Sequence, residues 1–271
     1  MMRLIVSKQD IGLWAASFIK SRVQAFAPTA QKPFVLGLPT GGTVEGMYAY
    51  LCDFCRKGEL NFQHIITFNI DEYVGLSAQD PQSYHSYMKH HLFNGVNLPA
   101  EQAHILNGLA DDLQQECNRY EQAIRQAGGI HLFLGGVGRN GHLAFNEPGS
   151  SFSSRTRPVT LEPNTRQANA RFFGGDVSRV PTQALSVGIG TVLDAKEILF
   201  LASGEQKAQA VARLSLGEVT PQWPITALKT HPHATLLVDE AAASLLTGYA
   251  AEQLARLRKE HPQDHFWQLE L

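Results

Sequence analysis

Three cysteines among 271 residues are too few, and odd in number, for a disulfide framework. Two of them, Cys52 and Cys55, form a Cys-x-x-Cys pair inside an expected helix, Glu45–Arg56. No second Cys or His pair lies near them, as a zinc site would usually show, so the reading is reduced thiols and no metal. Basic blocks are absent and the net charge is only -2, so nucleic acid is not expected as a partner. No apolar run approaches the length needed to span a bilayer, which excludes a membrane role on this reading. The opening residues lack the continuous apolar core and small-residue cleavage site of a signal peptide, so a cytoplasmic protein is expected. There is no internal repeat, low-complexity tract or linker to divide the chain.

What is present is a regular alternation of short apolar runs and helix-periodic segments. Leu4–Val6 is expected as a short edge strand. Pro33–Leu38, His64–Ile70, Ile130–Leu134, Glu197–Leu201 and Ala234–Val238 read as further strands. Helices are expected between them, beginning near Asp10, Val44, Ser83, Asp111 or Asp112, Ser203 and Glu240. Near-continuous apolar strands separated by helices predict one α/β domain over 1–271, with a doubly wound, mostly parallel, Rossmann-like sheet covered on both faces. The stretch from Pro163 to Pro181 has weak periodicity, and a segment at about 161–181 is read as a lid.

The chain is organised around Ile130–Pro148, IHLFLGGVGRNGHLAFNEP. A strand empties into four glycines within seven residues, followed by Asn140, His142 and Glu147. Gly136-x-Gly138-x-x-Gly141 matches the dinucleotide fingerprint literally, but that fingerprint needs a helix at its third glycine. Pro148 pushes Glu147 away from helical angles and no helical pattern starts there, so no dinucleotide cofactor is expected. Two other strand ends carry chemistry. Thr40-Gly41-Gly42-Thr43 lies between a strand and a helix, where free amides and hydroxyls form an anion site. The run HIITFNI ends in the acid pair Asp71-Glu72. A parallel sheet brings such loops to one edge. Together they point to a phosphorylated small molecule undergoing proton transfer: His142 can move a proton, Glu147 can orient it, and Asp71 is a second base. Arg171, in the lid, and Lys207, in a helix's first turn, are candidate cations for the phosphate.

These residues carry a resemblance. LPTGGT (Leu38–Thr43), FNIDEYVG (Phe68–Gly75), GGVGRNGHLAFNEPGSS (Gly135–Ser151) and SRTR (Ser154–Arg157) resemble the motifs of the glucosamine-6-phosphate deaminase family, in order along nearly the whole chain. The resemblance implies a cofactor-free conversion of glucosamine 6-phosphate and water into fructose 6-phosphate and ammonium. It implies that His142, held by Glu147 and Asn140, opens the sugar ring, and that Asp71 carries the C2 proton to C1 through an enolamine. The phosphate would sit on Thr40, Gly41, Gly42 and Thr43 with Arg171 and Lys207. It also implies a homo-oligomer, a hexamer or smaller.

Two positions depart from well-known enteric members. Asn140 stands where those have Asp; an amide oxygen still fixes the imidazole tautomer but does not stabilise imidazolium by charge. Ser150 and Arg157 match the family's allosteric site, but its lysine aligns with Val159 and its C-terminal tyrosine with about Gln253, so little activation by N-acetylglucosamine 6-phosphate is expected. Galactosamine 6-phosphate is the rival substrate, and a non-catalytic sugar-phosphate sensor the rival class. The 6-phosphogluconolactonases share the fold but lack the Phe-Asn-Glu that ends here in Glu147.

Overall fold

The structure is a computed structural model and describes residues 2–271. In chain order its elements are β1 (Arg3–Ser7), α1 (Ile11–Phe26), β2 (Phe34–Leu38), α2 (Gly42–Arg56), β3 (Ile65–Asn69), β4 (Asp71–Tyr73), α3 (Tyr84–His91), β5 (Ala103–His104), α4 (Leu113–Gln126), β6 (Leu132–Gly136), β7 (Arg157–Thr160), α5 (Pro163–Asn169), β8 (Gln183–Ser186), α6 (Ile189–Leu193), β9 (Glu197–Ala202), α7 (Ala208–Ser215), β10 (Ala234–Asp239), α8 (Gly248–Glu260) and β11 (Phe266–Glu270).

Eight strands form one sheet in the order β11-β1-β10-β9-β6-β2-β3-β5. All neighbours in it run parallel except β11 against β1. Side chains alternate across it. In β9, Ile198, Phe200 and Ala202 enter one core while Leu199 and Leu201 enter the other. The second core is closed by α1, α2 and α3, and the first by α4, α7 and α8. Two covered faces explain why these strands read as unbroken apolar runs. The doubly wound α/β expectation therefore holds.

Four local expectations need correction. Leu4–Val6 is not at an edge: Arg3–Ser7 lies between β10 and β11, whose FWQLE alternation puts Trp267 and Leu269 inside. The closing helix begins at Gly248, not Glu240; Asp239 first accepts the amide of Ala242, and residues 240–245 form turns. Pro163–Pro181, expected as a stretch of weak periodicity, contains α5 and two short 3-10 turns. The fourth correction is a second sheet, β4-β8-β7, antiparallel and sequestering its own apolar cluster with residues 161–180. Among the described residues no helix is long and apolar enough to cross a membrane.

Candidate active site

The chain leaves β2 in one direction, through β3 and β5, and resumes on its other side with β6, then β9 and β10. The crevice between β2 and β6 is thus a topological switch point, where ligands of open α/β sheets bind. Register makes this concrete. Gly37 pairs with Phe133, Leu38 with Asn69, and Gly136 with Leu201. The Thr40–Thr43 loop, the glycine turn, Asp71 and the segment Ser203–Lys207 therefore emerge side by side at one sheet edge.

The glycine turn folds back on itself without starting a helix. Gly141 donates to Gly138 O at 3.1 Å and Gly138 donates to His142 O at 2.9 Å. A Cβ on Gly138 would lie 2.3 Å from the His142 ring, so only glycine lets the imidazole rest on this backbone. Asn146, fully buried, braces the chain on the far side of the turn: its amide donates to Leu143 O and Val187 O, both at 2.8 Å, and its oxygen accepts from Arg157. The bracing holds His142, Asn140 and Glu147 in a short relay. His142 Nδ1 is 2.7 Å from Asn140 Oδ1, and Asn140 Nδ2 donates to Glu147 Oε2 at 2.7 Å. Glu147 Oε2 is 3.6 Å from the imidazole, an electrostatic contact rather than a hydrogen bond, and Glu147 Oε1 accepts from Thr165 Oγ1 at 2.5 Å. Burial would push the Glu147 carboxyl up, but His142, Thr165 and Asn140 together hold it at about 2.

Asp71 opens β4, opposite Ser186 of β8. Ser186 Oγ in turn accepts the amide of Phe145 at 3.1 Å, and the Phe145 ring packs 5.9 Å from Tyr73. The strand bearing Asp71 and the turn bearing His142 are thereby joined through one serine. Asp71 is 5% exposed, and its Oδ1 has no hydrogen-bond partner. Burial, then the charge of Glu72, push its carboxyl well above the usual range. A buried carboxyl with a free oxygen is suited to accept and return a proton near neutral pH.

The Thr40–Thr43 loop caps α2. Gly41 takes φ 108° and no side chain caps the helix, leaving its first amides available; open space surrounds both Gly41 and Gly42. Lys207 sits half-buried in the neighbouring 3-10 turn, Glu205–Lys207. Burial first, then the guanidiniums of Arg139 and Arg171, pull its ammonium down to about 8. Arg171 is exposed, its guanidinium 4.6 Å from the Phe172 ring. Three cations converge with no acid bonded to any of them among the described residues, an arrangement an anion would relieve.

The residues matched to an allosteric site are otherwise engaged. Arg157 donates to Asn146 Oδ1 at 2.8 Å, Val159 packs partly buried against the small sheet's core, and Ser150 donates its amide to Glu147 O. Sequence reasoning missed Arg139 and Thr165, which are distant from their partners in sequence or lie in an undifferentiated polar turn. Tyr87 also reaches the loop: its hydroxyl donates to Gly41 O at 3.0 Å. Among the described residues no group of three or more His, Cys, Asp or Glu side chains could hold a metal ion.

Comparison with known proteins gives the family and the fold. A family model described as glucosamine-6-phosphate isomerases/6-phosphogluconolactonase matches residues 7–237. Among solved structures, a monomeric glucosamine-6-phosphate deaminase is 44% identical, with TM-score 0.85, over 89% of this chain and 99% of that one. The 6-phosphogluconolactonase of Thermotoga maritima is similar at 17% identity and TM-score 0.69, over 88% of this chain and 99% of that one. That of Leishmania guyanensis is similar at 19% identity and TM-score 0.67, over 90% and 98%. The last two bear on the fold alone.

Proposed function

The chain belongs to the family of glucosamine-6-phosphate isomerases and 6-phosphogluconolactonases, and from that premise we propose that it is a glucosamine-6-phosphate deaminase. One observation carries the reading: the relay His142–Asn140–Glu147, joined through Ser186 to the strand of a second, buried base, Asp71. Lactone hydrolysis needs one base to activate water. Moving a proton between adjacent carbons after opening a ring needs two independent proton-transfer groups, and this site has two.

In this reading the sugar's phosphate occupies Thr40, Gly41, Gly42 and Thr43, with Lys207 beneath it and Arg171 closing from the 161–181 segment. His142 transfers the proton that opens the pyranose to its aldehyde. Asp71 removes the C2 proton, giving an enolamine, and returns it to C1. The resulting C2 imine takes up water, and expulsion of ammonia from the carbinolamine leaves fructose 6-phosphate. Glu147 holds the relay in register through Asn140. No cofactor enters this scheme. The similar deaminase is a monomer, and we read this chain the same way rather than as the expected homo-oligomer. Its charged substrate is retained behind membranes, which supports a cytoplasmic site of action.

Ammonium release from glucosamine 6-phosphate, compared with galactosamine 6-phosphate and with hydrolysis of 6-phosphogluconolactone, tests the reading. Preferential turnover of glucosamine 6-phosphate is expected. Lactone hydrolysis without ammonium release would overturn it.

A further inference from the structure

Beside Asp71 stands a second carboxylate that the scheme above does not use. Glu72 is 1% exposed and points away from solvent into the first turn of α3. Its Oε1 accepts from the amides of Tyr73 at 2.8 Å and Tyr84 at 3.0 Å. Its Oε2 accepts from the amide of His85 at 3.1 Å and lies 2.8 Å from His85 Nδ1. Four donors on one carboxylate leave it no free capacity for a substrate. They do fasten α3, whose N-cap Ser83 accepts only from Ser86, onto the strand that carries Asp71.

The other side of α3 faces the anion loop. Tyr87 OH donates to Gly41 O at 3.0 Å. The Tyr84 ring packs 4.9 Å from that of Tyr73 and 6.4 Å from that of Phe145. A third tyrosine, Tyr48 of α2, donates to Pro39 O. Gly41 itself holds φ 108°, with nothing packed within 4 Å of where a Cβ would lie. Two tyrosine hydroxyls therefore tie the loop to its neighbours.

Resting on the deaminase reading, we propose that Glu72 is a positioning residue for sugar-phosphate binding: it locks the first turn of α3 so that Tyr87, one turn on, holds the Thr40–Thr43 loop at a fixed offset from Asp71. The distance between phosphate loop and base is then set by one buried carboxylate, and hence so is the distance between C6 and C2 of a bound sugar. A carboxylate accepts all four donors. A carboxamide turns an N–H toward two of them, so Glu72→Gln loosens the turn while keeping its volume.

The test is a double-mutant cycle with Glu72→Gln, Tyr87→Phe and the pair. The readouts are kcat and KM for glucosamine 6-phosphate and the dissociation constant of inorganic phosphate by calorimetry. Tyr87→Phe should weaken phosphate and raise KM about fivefold to tenfold, with kcat nearly unchanged, as for one neutral hydrogen bond. Glu72→Gln should weaken phosphate by about tenfold or more, and the pair should be no worse than Glu72→Gln alone, because both act through the same turn. Two results overturn the proposal: an unchanged phosphate constant in folded Glu72→Gln, or single effects that multiply in the pair. If Glu72→Gln fails to fold, His85→Ala removes only the side-chain donor among the four and replaces it in the cycle, with a smaller loss expected and the same two overturning outcomes. The phosphate constants need no turnover. Wild-type protein that binds phosphate but releases no ammonium would sink the deaminase reading while leaving the cycle able to decide the role of Glu72.

Discussion

His142 Nδ1 meets the amide oxygen of Asn140 at 2.7 Å, and the same amide's nitrogen meets Glu147. Asn140 thus stands as a neutral spacer between imidazole and carboxylate. Its oxygen accepts, so the imidazole carries its proton on Nδ1 and leaves Nε2 for a substrate. An aspartate at this position would favour imidazolium by charge but repel Glu147. Asn140→Asp should lower Tm at pH 7, because it replaces the donor on Glu147 with a second carboxylate; an unchanged Tm would refute the spacer role.

The free oxygen of Asp71 sets up a conflict between activity and stability. Its raised carboxyl means that the folded protein holds a proton there after the unfolded chain has lost it. The cost to folding grows as pH rises above the usual aspartate value and persists at neutral pH. Asp71→Asn should lower kcat by about 10²–10⁴, the range for a general base. It should also raise Tm at pH 7, by about 2–4 °C per kcal/mol of relieved burial cost. Differential scanning calorimetry with the ammonium assay checks both, and a variant that is inactive and less stable contradicts the assignment.

Glu147 has the opposite sign. With a reference value of 4.5 and a folded value of about 2, it stabilises the native state above pH 4.5 and loses that contribution as pH falls toward 2. Glu147→Gln should therefore melt below the wild type at pH 6, with the gap closing as the pH approaches 2. Thr165→Val, which deletes one of its donors, should narrow the same gap in part.

Lys207 is depressed from 10.5 to about 8, so in the free protein it is partly neutral at pH 8 to 9. A bound phosphate would favour the ammonium form, so binding should take up protons in that window. Calorimetry of phosphate binding at pH 8.5 in buffers of different ionisation enthalpy should show net proton uptake. Arg139→Gln should reduce the uptake by removing one of the two charges that depress the lysine. Buffer-independent heats would show that no anion binds beside Lys207.

Arg157 is already bonded to Asn146, and Val159 offers no charge. N-acetylglucosamine 6-phosphate should therefore leave this protein's rate curve for glucosamine 6-phosphate unchanged. A sigmoidal curve made hyperbolic by that compound would show the opposite.

The sequence by itself determined the sheet. Unbroken apolar runs such as FVLGL and EILFLA reported two covered faces, and the glycine loops after them reported where the sheet edge opens. Those signals are local, carried by periodicity within five or six residues. What only the tertiary structure decided involves partners far apart in the chain. β11 pairs with β1 across more than 250 residues, β4 leaves the main sheet to join β8, and Thr165 reaches Glu147 across 18. The same holds for charge. Asp71 and Glu72 are adjacent acids with no local difference between them, yet one is buried with a free oxygen and the other with four donors. Burial and hydrogen bonding set the chemistry of a carboxyl, and both depend on what the rest of the chain packs against it.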